Sequence, residues 1–405
     1  MLAESARAPA SAQRAHIPAL DGLRGIAVLT VMILHFSMLV PAGPFEHAYL
    51  SIARNGWAGV DLFFVLSGFL ITGILCDARG APFYFRSFYI RRTLRIFPLY
   101  YAFLFALFVL LPMVMPSHAE PGLDGTRALL WGYLGNFAFA AGGWEGMPAH
   151  TTHLWSLAVE EQFYLLWPLV VWWATPKQLT RVCLVTIAVA WLARAVFFVM
   201  SPDGIAGYAL LPARMDALAA GALVAVLMRQ GHGENMLRHS RTAMAGACVV
   251  LGLVALWRWV TSGDPTLSAL DVRVQLFAYP AFALLFGAVI VQAVHASREG
   301  RLHRVLTAPS LLMLGRYSYA LYLVHIPLRD FMRHRFVASA GLPRILGSQM
   351  PAQLALLVLG MTVSLAVAIV SWHAFEKHLL ALKRFFPYGA PAQVRVPQHA
   401  PDRAA

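Results

Sequence analysis

The sequence predicts an all-α polytopic membrane protein, and three observations carry that prediction. Of the 405 residues, 59% are hydrophobic and only 13% are charged, about half the charged share of an ordinary soluble domain. Apolar runs long enough to cross a bilayer recur along the whole chain. The basic residues gather in a few short loops, as orientation determinants do. The net charge of +13 therefore reads as topogenic. A lipid bilayer is the expected partner and nucleic acid is not.

Taken in order, residues 1–16 are Ala-rich and polar and read as a disordered cytoplasmic tail. Eleven apolar segments follow, near 22–40, 57–76, 98–115, 128–141, 155–175, 179–200, 206–228, 242–260, 274–295, 306–328 and 353–375. The first is expected to be retained, because the PAGPF after it is not a small-x-small cleavage site. The loop 77–97 holds Arg79, Arg86, Arg91, Arg92 and Arg95 against one acid, Asp77. Loops 229–241 and 296–305, and the segment after 376, are also basic, so all four are assigned to the cytoplasm. Loops near 116–127, 201–205 and 261–273 carry acids and turn residues and are assigned outside. Loop 329–351 is assigned outside by alternation, despite Arg329, Arg333, Arg335 and Arg344. Alternation also requires 128–141 to begin and end outside. At about 14 residues it is too short to span and reads as re-entrant or interfacial. About ten transmembrane helices result, with both termini cytoplasmic. Residues 17–387 form one membrane domain, 388–405 a second disordered cytoplasmic tail, and no further folded domain is expected. Cys76, Cys183 and Cys248 lie in or beside apolar segments without ligand spacing and read as packing residues. No metal is expected.

Polar residues inside such segments need a reason. In IPALDGLRGIAVLTVMILHF, Arg24 and His35 are 11 residues apart. At about 100° per residue they share one helix face, about 16 Å apart. Arg92 and Arg95 stand at an i, i+3 spacing on one face. Asp61, Glu160 with Glu161, Arg214 with Asp216, and His325 fall in the outer halves of their segments. The result is an inner arginine layer and an outer layer of histidines and carboxylates. Plainer readings exist for each. Arg92 and Arg95 suit lipid headgroups or topology, and His153 suits a loop. His325 suits a carbonyl freed by Pro327, Arg214 and Asp216 suit an internal charge pair, and FYFRSFYI suits an interfacial helix. Of two adjacent glutamates, only one should face a given site. The two layers suit a large anionic donor whose reactive group lies deeper, with guanidinium groups on phosphates and a neutral histidine taking a hydroxyl proton. A proton-coupled transporter or lipid-intermediate flippase would use the same residue types.

The motifs IPALDGLRGIAVLTVMILHF, GVDLFFVLSGFLI, YIRRTLRIFPLYY, HLWSLAVEEQFYLLWP, GRYSYALYLVHIP and FEKH together resemble the membrane acyltransferase-3 family, in order over about 17–378. The resemblance implies a bacterial inner-membrane O-acyltransferase with acyl-CoA, most often acetyl-CoA, as co-substrate and no permanently bound cofactor. The implied acceptor is a carbohydrate hydroxyl on a surface polysaccharide, exopolysaccharide, lipopolysaccharide or glycolipid precursor. It makes His35 the catalytic base or acyl carrier, with Glu160 in the active-site region, where it or, less directly, Asp61 would orient His35. Arg24, Arg92 and Arg95 would serve the CoA side. Asp61, His325, Tyr319 and Arg316, in the matching motifs, are secondary candidates. FEKH departs from the family's frequent FEKP, and the hydrolase-like domain carried by some relatives is not expected here.

Overall fold

A computed structural model describes residues 16–115, 122–337 and 341–389. The two expected tails lie outside the described residues except for His16, Tyr388 and Gly389, as do residues 116–121 of the first outside loop.

Among the described residues the chain forms helices and no strand. The first helix, α1 (Pro18–Phe36), opens on a proline at its first position, where the missing N–H costs nothing. Helix α2 (Pro44–Ala53) leads through a 3₁₀ turn into α3 (Ala58–Ala78). Helix α4 (Tyr84–Phe105) runs on through a π turn into α5 (Leu111–Val114). The short segment 128–141 lies in two eight-residue helices, α6 (Asp124–Trp131) and α7 (Gly135–Gly142). They are broken at Tyr133, whose φ is +55°. At about 12 Å each, neither crosses a bilayer. Then come α8 (Leu154–Trp173), α9 (Pro176–Met200), α10 (Ile205–Ala209), α11 (Leu211–Arg229), α12 (Gly233–Ser262) and α13 (Tyr279–Val294). Helices α14 (Arg301–Leu306), α15 (Pro309–Phe336), α16 (Met350–Ser371) and α17 (Lys377–Ala381) complete the chain, the last two joined by a π turn.

Eight of these helical stretches are long and apolar enough to cross a membrane. Helices α8 and α15 have the length but are more polar. They are also the two that carry the glutamates and His325.

Two of the boundaries that differ from the sequence reading bear on the site. The span expected from residue 98 begins at Tyr84, so FYFRSFYI and both candidate arginines belong to one continuous α4 with Pro98 inside it. Helix α15 extends to Phe336, which makes Arg333, His334 and Arg335 its last turn. Cations there complement the negative end of the helix dipole, which accounts for the basic residues in the loop assigned outside by alternation.

Glycines set the packing around α1. A Cβ at Gly22 or Gly25 would fall 1.8 or 2.2 Å from the carbonyl oxygens of Leu306 and Leu311, and one at Gly315 would fall 1.9 Å from that of Asp21. Across the other face of α1, Gly56 and Gly59 abut the carbonyls of Thr30 and Ala27. Helices α3 and α11 meet at Gly68 and Gly221, where a Cβ would reach 1.8 or 1.9 Å from backbone oxygen. Lipid supplies no hydrophobic drive between helices, so close backbone approach through small residues is what holds them. The far end of α1 is tied down by Gln353, which accepts from the N–H groups of Met38 and Leu39 and donates to Phe36 O.

Candidate active site

Helices α1, α3, α4, α8 and α15 line a chamber with a cavity volume of about 90 Å³. Arg24, Arg92 and Arg95 line it together. Arg24 donates to Asp21 at 2.9 Å, held by the i, i+3 spacing, and the Arg92 guanidinium lies 4.7 Å from the Tyr164 ring centroid. Glu160 accepts from the Ser67 hydroxyl, and the Tyr164 hydroxyl lies 3.1 Å from Glu160 and 2.9 Å from Ser67. Glu161 also lines the chamber. The expectation that only one glutamate would face the site is corrected, because the chamber wraps α8 from Ser67 on α3 round to Arg92 on α4. Tyr319 donates to Ile96 O at 2.8 Å and forms part of the wall.

At the other end of α1, three histidines converge. His325 is fully buried and its Nδ1 lies 2.7 Å from Tyr322 O. A carbonyl only accepts, so Nδ1 carries the hydrogen and Nε2 is left as an acceptor. His35 Nδ1 lies 3.2 Å from that Nε2 and 3.0 Å from Val31 O. Both partners accept, so His35 is also protonated at Nδ1. Its Nε2, with no hydrogen bond among the described residues, is the nitrogen available to a substrate. His153, at the start of α8, donates through Nε2 to Leu323 O and packs its ring 5.2 Å from that of His325.

Tyr322 joins the two halves. Its ring lies 5.4 Å from both His153 and His325, its hydroxyl bonds Ser156 at 2.6 Å, and both Tyr322 and Ser156 line the arginine chamber. Tyr322 therefore touches the chamber on one side and two of the three histidines on the other.

Other candidates lie elsewhere. The expectation that Glu160 or Asp61 would orient His35 is corrected, since the ring partner of His35 is His325. Glu160 bonds Ser67 and Tyr164. Asp61 pairs with Arg214 at 2.6 Å, and Asp216 lies 2.8 Å from Arg194, all four side chains at most 3% exposed. Arg214 and Asp216 do not pair with each other, because residues two apart project to opposite sides of a helix. Arg316 is exposed and stacks on Trp372 at 5.0 Å, outside the chamber wall. Sequence reasoning left His153 in a loop and passed over Ser67, Tyr164, Ser156 and Tyr322. Tyr164 stands at i+4 from Glu160 and Tyr322 at i−3 from His325, so helix spacing was the signal for those two.

A family model described as an acyltransferase domain matches residues 17–372. The peptidoglycan O-acetyltransferase OatA of Listeria monocytogenes is 27% identical over 332 residues, 78% of this chain and 50% of that protein. O-acetyltransferase OatA of Staphylococcus aureus is 27% identical over 346 residues, 80% of this chain and 52% of that one. A putative peptidoglycan O-acetyltransferase of Bacillus subtilis, YrhL, is 37% identical over 163 residues, 38% of this chain and 23% of its own. The chain spans about half the length of the two OatA proteins. No solved structure matches it.

Proposed function

The chain belongs to the acyltransferase domain family, and from that premise we propose that it is an O-acyltransferase of a bacterial inner membrane. In this reading it moves an acyl group, acetyl in the simplest case, from cytoplasmic acyl-CoA to a carbohydrate hydroxyl. The relatives named as peptidoglycan O-acetyltransferases support a carbohydrate acceptor. One observation carries the reading: His35 has its Nδ1–H committed to two acceptors and its Nε2 free, and its partner His325 packs on Tyr322, which lines the chamber that holds three guanidinium groups.

Arg92 and Arg95 hold the phosphates of the donor, and Arg24 lines the way inward. Guanidinium groups stay charged under desolvation and bind phosphate through paired donors. At the histidine end, His35 Nε2 takes the proton of the acceptor hydroxyl as that oxygen bonds the acyl carbon. The carbon–sulfur bond breaks with its electron pair on sulfur, and the proton passes from His35 to the thiolate. His325 and the Val31 carbonyl keep His35 in the tautomer that this step needs. Glu160, held by Ser67 and Tyr164, balances the charge of the chamber. Positioned base catalysis contributes about 10²–10⁴-fold.

The test is incorporation of label from acetyl-CoA into a carbohydrate by the purified, reconstituted protein. His35→Ala should lower incorporation at least about 100-fold with membrane abundance unchanged. Wild-type incorporation by that variant overturns the assignment. Transport of an intact solute by wild-type vesicles, with no label transferred, would favour a transporter.

A further inference from the structure

Two neighbouring features at the Arg24 end of the bundle are absorbed by neither the chamber nor the histidines. An apolar groove of about 380 Å³ runs between α11, the start of α12 and α13, with Val224, Leu227, Met236, Gly287 and Val291 among its walls. Beside it lies a cleft of about 560 Å³ lined by Arg238, Arg241 and Arg301 with His295. The residues interleave: Met236 and Ser240 line the groove, Leu237 and Arg241 the cleft, Val291 the groove and Gln292 the cleft. At the junction Gln292 Nε2 donates to Ser240 Oγ at 2.6 Å, and Ser240 Oγ donates to Leu237 O at 2.6 Å.

The three arginines have no ion pair or hydrogen bond among the described residues, and no carboxylate lines the cleft. Arg229, at the same end of the bundle, is answered by Asp77 at 2.9 Å, so an acid partner was available to this region and the cleft lacks one. A purely topogenic role requires positive charge in a loop. It does not require three exposed arginines to line one cleft that opens beside an apolar groove. Basic pockets between helices at the membrane surface recognise anionic lipid headgroups, and arginine suits phosphate geometry.

We propose that groove and cleft form one binding site for an anionic glycerophospholipid. Its phosphate is held by Arg238, Arg241 and Arg301, and one acyl chain lies along α13 against Val224 and Gly287. The site does not depend on the acyl-transfer reading, and its test does not measure transfer.

The probes are phosphatidylglycerol and phosphatidylcholine with identical acyl chains, and inorganic phosphate alone, added to the full chain in detergent. Lipid retention is read by native mass spectrometry, with melting temperature beside it. Phosphatidylglycerol should be retained at least about tenfold over phosphatidylcholine and should raise the melting temperature, while inorganic phosphate should not. The triple variant R238Q/R241Q/R301Q should lose the preference. Gly287→Leu changes no charge, and its Cβ would meet only Val224 Cγ2, at an ordinary 3.5 Å. It fills the groove and should lower phosphatidylglycerol retention by a similar factor. Equal retention of the two lipids, stabilisation by inorganic phosphate alone, or full retention by Gly287→Leu each overturns the proposal.

Discussion

Replacing His325 by Leu or by Gln tests the histidine arrangement most directly. His325 accepts the His35 Nδ1–H at 3.2 Å and holds its own Nδ1–H on Tyr322 O. With His35 neutral, that bond contributes on the order of 1 kcal/mol. Once His35 has taken a proton, the same donor is charged and the bond contributes about 1.5–3 kcal/mol. The difference, about 0.5–2 kcal/mol, arises only as the proton moves, so it falls on kcat rather than on donor binding. At about 1.4 kcal/mol per tenfold, His325→Leu should lower kcat roughly 2- to 30-fold. A contact of 3.2 Å is at the long end for a hydrogen bond, which favours the smaller figure. His325→Gln places a carbonyl oxygen near the position of Nε2 and should recover most of the loss. Initial rates with labelled acetyl-CoA, at saturating and limiting donor, give kcat and KM, and a melting curve checks folding. A Leu variant with wild-type kcat, or a Gln variant as slow as Leu at the same melting temperature, refutes the reasoning.

Three further outcomes are expected. Arg92→Ala combined with Arg95→Ala should weaken acyl-CoA binding at least about tenfold, since each charge-assisted bond contributes about 1.5–3 kcal/mol; an unchanged Kd by calorimetry returns both residues to topology. Gly221→Val puts a Cβ 1.9 Å from Val65 O and should cost at least about 1–3 kcal/mol of stability, read as a lower melting temperature, whereas Gly246→Val, with nothing within 4 Å, should not. Burial works to raise the Asp271 carboxyl, but hydrogen bonds from Arg273 and the charge of Arg258 outweigh it and hold it below the usual carboxylate range. Its contribution to stability is therefore complete above the unfolded value of about 3.9 and is lost as pH falls through the lower folded value. The stability gap between the native protein and Asp271→Asn should be flat above about pH 5 and close on further acidification.

What could be read in the sequence was what depends on local spacing. Arg24 and His35 stand at the two ends of one helix because 11 residues make three turns. Arg92 and Arg95 share a face because they are three apart. Segment 128–141 does not span, because it is too short. What could not be read was contact between distant stretches. His35 and His325 are 290 residues apart, and no periodicity joins them. Their meeting follows from the glycines that let α1 and α15 approach, whose role is visible only once the helices are paired. Asp61 was misjudged for the same reason. Its depth suggested the histidine layer, but Gly68 and Gly221 hold α3 against α11, and there Arg214 takes the carboxylate.

That buried charge cluster also bears on the order in which the protein is built. Synthesis delivers Asp61 on α3 and then Arg194 on α9, one acid and one base, each costly to leave alone in a bilayer. Until α11 arrives, neither has the partner it keeps in the folded protein. Helix α11 brings Arg214 and Asp216 together and gives both of the earlier charges their partners across three helices. The insertion of α11 is thus the step that completes the buried cluster.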